Sequence, residues 1–334
     1  MSRPIAVVTG GAGFIGSHAV DRLIAEGYAV RVLDDLSGGH AENLAHHKNE
    51  QALSMTVGDI RRIEPDSSLF RDASVVLHFA GIGDIVPSIE RPSDYLDVNV
   101  QGTVRVLEAA RSSRVKRVVY AASSSCYGLA STPTDESHPI DCRYPYALSK
   151  YLGECAALHW GTVYGLPVNS IRIFNAYGTR SRTTGAYGAV FGVFLRQKIA
   201  GVPFTVVGDG SQRRDFLYVT DVVDAFFRAA TCSASGSVWN LGAGNPQSVN
   251  RLVELLNGPV QYIPRRPGEP DVTWADISKI RADLEWEPTV AFEEGVGLML
   301  ADLDHWRNAP LWDATSIASA TRTWFKHLGS EGTP

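Results

Sequence analysis

"VTGGAGFIGSH", residues 8–18, joins an apolar run to a helical pattern. Its glycines, Gly10, Gly13 and Gly16, are spaced GxxGxxG. Gly10 permits the tight turn, Gly13 lets main chain approach a pyrophosphate, and Gly16 lets helix pack on strand. The helix that begins there offers unsatisfied N–H groups and the positive end of its dipole. A glycine triplet alone could be a mere turn. The strand–turn–helix context makes this one a dinucleotide site.

Asp34 supports that reading. It ends the second strand, about 20 residues on, where a carboxylate accepts hydrogen bonds from the adenosine ribose. Asp34 and Asp35 would repel a 2′-phosphate, so the expected cofactor is NAD rather than NADP. Asp59 closes the third strand, where it either meets the adenine amine or only caps the following turn.

Working outward, "IAVVTG" (5–10), "AVRVLDD" (29–35), "MTVGD" (55–59), "SVVLHFAG" (74–81), "KRVVYAAS" (116–123) and "VNSIRIFN" (168–175) read as strands. "FIGSHAVDRLIAEG" (14–27) reads as a helix ended by Gly27. A second helix is predicted over "YLDVNVQGTVRVLEAARSS" (95–113), and a third from Pro145 through Trp160. Apolar strands alternating with helices predict an α/β fold, a Rossmann-type doubly wound parallel sheet. After residue 176 the texture changes. "YGTRSRTTGAYGAVFG" (177–192) is a Gly/Thr/Arg-rich connection, whereas 219–230 and 237–244 read as a return to the sheet. The expected organisation is a cofactor domain of 1–176 and 215–244. A smaller, discontinuous C-terminal substrate lobe of 177–214 and 245–330 completes it.

Composition bounds the partners. The chain has 334 residues, 44% of them hydrophobic, and a net charge of −5. That balance gives no electrostatic footprint for nucleic acid or an anionic membrane. No apolar run reaches the roughly 20 residues of a membrane helix. The four cysteines are unpatterned, which predicts reduced thiols, a cytoplasmic location and no metal site of recognisable Cys/His spacing.

Two further stretches carry chemistry. In "YPYALSKYLGE", Tyr146 and Lys150 are four residues apart and share a helix face. A base that removes a hydroxyl proton while hydride leaves the same carbon must work near neutral pH, and free tyrosine titrates at about 10. A lysine ammonium and a cationic nicotinamide would favour the phenolate. In "YAASSSCYG" (120–128), a strand end presents serines and no carboxylate.

With these motifs the chain resembles the extended short-chain dehydrogenase/reductases of the nucleotide-sugar epimerase group. "HFAG", "DVNVQGT", "RIFNAYG", "GDGSQRRDF" and "RRPGE" carry the resemblance over nearly the whole length. It implies Ser123, Tyr146 and Lys150 as catalytic residues. It also implies cofactor contacts from Phe14, Ile15, Ile60, Phe79, Ala80 and Asn99, with Tyr146 and Lys150 reaching the cofactor too. Ser124 and Asn175 would meet the sugar side. Arg214 and Arg266 would clamp the diphosphate, and Glu269 would meet the uridine ribose. Thr273 would stand beside the sugar C2 group and leave room for an N-acetyl substituent. Arg182 is either the partner of a C6 carboxylate or an exposed loop charge.

Related dehydratases and decarboxylases carry carboxylates where this chain has Ser124 and Ser125. A serine cannot serve as that acid or base. The expected reaction is therefore NAD-dependent 4-epimerisation of a UDP-hexose, plain or N-acetylated. The alternatives are a UDP-glucuronate 4-epimerase and a non-catalytic NAD-binding protein. The resemblance also implies a homodimer that uses the Tyr146 helix as interface.

Overall fold

The computed structural model describes residues 3–184 and 189–328. Part of the predicted 177–192 connection, residues 185–188, lies outside them, as do residues 329–334. The first half runs β1 (Ile5–Thr9), α1 (Phe14–Ala25), β2 (Ala29–Asp34), β3 (Leu53–Val57), β4 (Ala73–His78), α2 (Ile85–Glu90), α3 (Pro92–Leu96), α4 (Thr103–Ser112), β5 (Arg117–Ser123), α5 (Pro145–Tyr164) and β6 (Val168–Ile173). The second half runs β7 (Asn175–Tyr177), α6 (Val190–Ala200), β8 (Phe204–Val207), β9 (Arg213–Arg214), β10 (Phe216–Tyr218), α7 (Val219–Thr231), β11 (Val238–Leu241), β12 (Gln247–Ser248), α8 (Val249–Leu256), β13 (Val260–Ile263), α9 (Ser278–Leu284), α10 (Phe292–Ala301), α11 (Ala314–Ala320) and α12 (Arg322–Leu328).

Seven strands form one parallel sheet in the order β3-β2-β1-β4-β5-β6-β11. This is a Rossmann-like doubly wound sheet. The strand order reverses between β1 and β4, so the crevice for a ligand opens at their carboxyl ends. The central strands are continuous apolar runs because helices cover both faces. Val7, Val8, Val76, Val118 and Val119 are fully buried. α1 turns Ala19, Val20 and Leu23 inward. Burial of each such Val or Leu contributes roughly 1.5–3 kcal/mol.

Beyond the sheet, short pairs take over. β7 pairs parallel with β10, β8 with β13, and β9 antiparallel with β12. A separate hydrophobic cluster lies there, built on Phe191, Phe194, Phe204, Leu252, Met299 and Trp306.

Two predicted elements differ. The helix over 95–113 is split into α3, a π-helical turn at Asp97–Gly102, and α4. The wide turn directs Asn99 inward, and Gly102 lies so close to Ile60 that an added Cβ would stand 2.5 Å from its Cδ1. The strand over 168–175 ends at Ile173, and Asn175 begins a separate strand that leaves the sheet.

Candidate active site

The glycine turn is tight at its first and third glycines. Gly10 has a φ of +71°, and an added Cβ would stand 2.7 Å from the Ala80 nitrogen. A Cβ on Gly16 would collide with the Gly10 carbonyl oxygen. Gly13 is the N-cap of α1, with no side-chain cap and no acidic residue in the first turn. The N–H groups of that turn therefore face the crevice, as a pyrophosphate requires. Phe14 and Ile15 begin α1, and Phe79 and Ala80 line the opposite side of the turn, each half-buried. The Phe79 ring packs on Phe226, with centroids 4.6 Å apart.

Asp34 is buried and accepts from the Ala12 and Leu36 N–H groups at 2.9 Å each. Burial pushes its carboxyl above the ordinary range. Further donors, such as ribose hydroxyls, would favour its charge. Asp35 is exposed and caps Ser37. Asp59 is a capping residue in this structure, accepting from the Arg61 N–H at 2.8 Å and from its guanidinium. Ile60 buries its side chain in the core, so only its main chain is left to meet a cofactor.

Asn99 is buried and acts as a brace. Its Nδ2 donates to the Ile82 carbonyl and to Ser149 Oγ, and its Oδ1 accepts from the Ile82 N–H, all at 2.9 Å. The loop after β4 is thereby fixed to α5. A Cβ on Gly81 would meet Asn99 Oδ1 at 2.9 Å and Lys150 Nζ at 3.7 Å. One on Gly83 would meet Tyr146 Oη at 3.9 Å. The loop thus lies directly over both residues of the Tyr/Lys pair.

Three hydroxyls gather at the end of β5. Tyr146 Oη donates to Ser123 Oγ at 3.4 Å, and Ser123 Oγ lies 2.8 Å from Ser125 Oγ. Ser124 is half-buried beside them, in the 3₁₀ turn Ser124–Tyr127. Tyr144 and Tyr95 flank the Tyr146 ring.

Burial dominates the electrostatics of the Tyr/Lys pair. Burial pushes the Tyr146 phenol above its ordinary value; the Ser123 hydrogen bond opposes this, and the Asp84 charge adds to it. Lys150 Nζ sits 4.5 Å from the centroid of the Tyr120 ring, and burial pulls its own pKa down to about 8, against the charge of Glu154.

On the opposite wall, charged side chains already hold one another. Arg214 donates to Glu269 Oε1 at 2.7 Å, and Arg266 Nε lies 3.6 Å from Glu269 Oε2. Glu269 thus sits between the two arginines expected to hold a diphosphate. A cavity of about 930 Å³ adjoins them, lined by Leu129–Thr132, Arg265–Val272 and Phe325. Thr273 Oγ1 donates to Asn175 Oδ1 at 2.6 Å and accepts from the Asp215 N–H at 3.3 Å. Arg182 is exposed, and its guanidinium is paired with Asp84 on the loop after β4.

Sequence reading passed over His78. Its Nδ1 lies 2.6 Å from Thr9 Oγ1 and its Nε2 3.0 Å from Thr103 Oγ1, which donates to the Asn99 carbonyl. Burial, with the Lys150 charge, pulls its pKa down to about 3, so it is a neutral structural link. A histidine at the end of an apolar strand was the available signal. Ser125 and Ser149 were also missed as partners of Ser123 and Asn99.

This geometry has close relatives. Residues 6–242 match the profile of the NAD dependent epimerase/dehydratase family. The chain belongs to that family, and NAD is its cofactor. It is 37% identical over 299 residues to a UDP-glucose 4-epimerase of Mycolicibacterium smegmatis, covering 87% of this chain and 95% of the relative. A solved UDP-N-acetylglucosamine 4-epimerase from Methanobrevibacter ruminantium superposes with a TM-score of 0.84 at 30% identity, over 90% of this chain and 100% of that one. A UDP-glucuronic acid 4-epimerase from Bacillus cereus, solved with UDP-glucuronic acid and NAD, gives 0.84 at 27%, over 90% and 99%. Relatives named as decarboxylases also occur. Among the described residues, no helix is long and apolar enough to cross a membrane.

Proposed function

We propose that the chain is an NAD-dependent 4-epimerase of UDP-hexoses, acting on the glucose/galactose pair, the N-acetylated pair, or both. The observation that carries this reading is the all-hydroxyl cluster of Tyr146, Ser123 and Ser125, with Ser124 beside it. The acidic side chain whose charge bears on Tyr146 is Asp84, and it is engaged by Arg182. Elimination of water or carbon dioxide is left without the carboxylates that related enzymes use.

In this mechanism bound NAD would supply the acceptor, and then the donor, of a hydride at C4 of the sugar. Tyr146 removes the C4 hydroxyl proton and gives it back. Ser123 orients that oxygen, and Ser125 orients Ser123. Lys150 would hold the cofactor ribose, and its charge would favour phenolate over phenol. Arg214 and Arg266 hold the diphosphate through guanidinium forks. The 4-keto sugar must turn over between the two hydride steps. Asn175 and Thr273 must therefore line its volume without fixing it.

The uronate alternative requires Arg182 to exchange Asp84 for a substrate carboxylate. A homodimer fits the exposed Leu148, Leu152 and Cys155, which form a stripe along α5. The test is a panel of UDP-sugars analysed by chromatography, with NADH followed by absorbance. Interconversion of C4 epimers without net NADH is expected. Turnover confined to UDP-glucuronate, a decarboxylated pentose product, or stoichiometric NADH would overturn the reading.

A further inference from the structure

Away from the hydroxyl cluster, three metal-ligating side chains converge at the rim of the cofactor crevice. Asp21 comes from α1, and His46 and His47 from the 3₁₀ segment Ala41–His47. Nε2 of His46 lies 2.7 Å from Asp21 Oδ1, and Nε2 of His47 lies 2.8 Å from that same oxygen. All three donor atoms lie within 4.8 Å of one another. We propose that Asp21, His46 and His47 form a binding site for a divalent transition metal ion of the zinc class.

The donor set selects the ion. Two imidazoles and one carboxylate suit zinc, cobalt or nickel; magnesium and calcium prefer oxygen donors alone. Tetrahedral bonds of about 2.0–2.2 Å require donors to stand roughly 3.3 Å apart. The two imidazole–carboxylate separations need to open by only about half an ångström from their hydrogen-bonded values. Binding replaces the two N–H···O contacts by metal–nitrogen and metal–oxygen bonds, with each ring proton moving to Nδ1 or to solvent. The His46 side chain is 49% exposed, which provides an entry path and leaves a fourth position to water.

The surroundings support such a site. Arg180 occupies Asp21 Oδ2, so the carboxylate presents Oδ1 alone. A partner of this kind orients a ligand from behind. Burial works against Asp21's charge, yet hydrogen bonds from Arg180 and the histidines hold its carboxyl below the usual range. Arg180 also donates to His18 Nδ1 at 3.2 Å and to the Asn43 carbonyl at 3.3 Å. Burial and the Arg180 charge pull His18 down to about 4, so it adds no second cation. The histidine segment covers the glycine turn: Asn43 Nδ2 and the His40 N–H donate to the Ala12 carbonyl at 2.8 and 3.0 Å. A bound ion would fasten that cover to α1.

The experiment titrates tag-free, NAD-loaded enzyme with Co(II) and follows the visible d–d bands, with Zn(II) as competitor. Saturable binding with tetrahedral-type bands, displaced by zinc, is expected. His46→Ala and His47→Ala should each weaken it by about tenfold or more. Cys155→Ser should leave it unchanged, which excludes the exposed thiol. His46 is exposed and His47 half-buried on a short segment, and circular dichroism checks that the variants fold. No saturable binding by the wild type, or undiminished binding in folded His46→Ala and His47→Ala, would overturn the proposal.

Discussion

The turn between β1 and α1 offers a ligand its main chain, whereas the wall around Arg214, Glu269 and Arg182 offers side chains that already hold one another. Gly10, Gly13 and Gly16 put no side chain into the crevice, and the first turn of α1 has no side-chain cap and no acidic residue to displace. On the facing wall, Glu269 lies between Arg214 and Arg266, and Asp84 holds Arg182. The cofactor side is thus pre-organised, and bound ligand gains affinity because little has to be rearranged. If the facing wall holds the sugar nucleotide, as proposed, it must exchange partners to bind. That division suits an enzyme that keeps its cofactor and releases its substrate at every turnover.

The largest expected effect tests whether the chemistry sits between these two regions. Tyr146→Phe should lower kcat by about 10²–10⁴, the usual contribution of a positioned acid–base group. It should leave NAD bound, because the ring keeps its packing against Tyr144 and Tyr95. Near-normal turnover would remove Tyr146 as the base. Loss of NAD would mean that the phenol belongs to the cofactor side instead.

Lys150 gives the next effect, read as stability against pH in the cofactor-free protein. Its pKa falls from the unfolded value of about 10.4 to about 8 because burial penalises the ammonium. Below pH 8 the folded state carries that penalty in full. Between pH 8 and 10.4 the unfolded chain binds more protons, so this group makes stability rise with pH. The full change is on the order of 3 kcal/mol at 1.36 kcal/mol per unit. Lys150→Met should flatten that rise in urea melts taken across the window. An unchanged slope would place the titration elsewhere.

How far the sequence carried the reading differs between the same two regions. The glycine turn, Asp34 and the Tyr146–Lys150 spacing depend on local geometry, which a short stretch of sequence specifies. Asn99 was identified by motif, but its partners Ile82 and Ser149 come from separate segments and could not be read from it. The π-helical turn at Asp97–Gly102 was invisible because its apolar spacing resembles that of a continuous helix. Arg182 and Asp84 are 98 positions apart, and only the fold brings them into contact. Asp21, His46 and His47 likewise have no spacing signature. Paired charges on loops depend on tertiary approach, and hydrophobic periodicity is silent about them.

Thr273 sharpens the comparison on the sugar side. Thr273→Tyr should suppress epimerisation of UDP-N-acetylglucosamine relative to UDP-glucose, because the ring would take the acetamido volume. An overlap of a few atoms costs on the order of 1–3 kcal/mol, or roughly tenfold to a hundredfold in the ratio of kcat/KM. The threonine hydroxyl also holds Asn175 and the Asp215 N–H, so Thr273→Val serves as control. If both variants lose both substrates equally, the position is structural and does not read C2.

The smallest effect decides what Glu269 does. In the ligand-free arrangement its carboxylate satisfies Arg214 at 2.7 Å and faces Arg266. A diphosphate that needs those guanidinium groups must displace it, and partly exposed ion pairs of this kind are worth about 0.2–1 kcal/mol. Glu269→Gln removes the charge but keeps the shape. It should therefore lower KM for the UDP-sugar by up to roughly fivefold, the same energy expressed as a ratio, with kcat unchanged. Salt should narrow the gap between the two proteins, since it screens the pair that the wild type has to break. A raised KM would give the opposite answer. Glu269 would then contact the nucleotide directly, through the ribose hydroxyls, and that part of the wall would be as ready for its ligand as the glycine turn is.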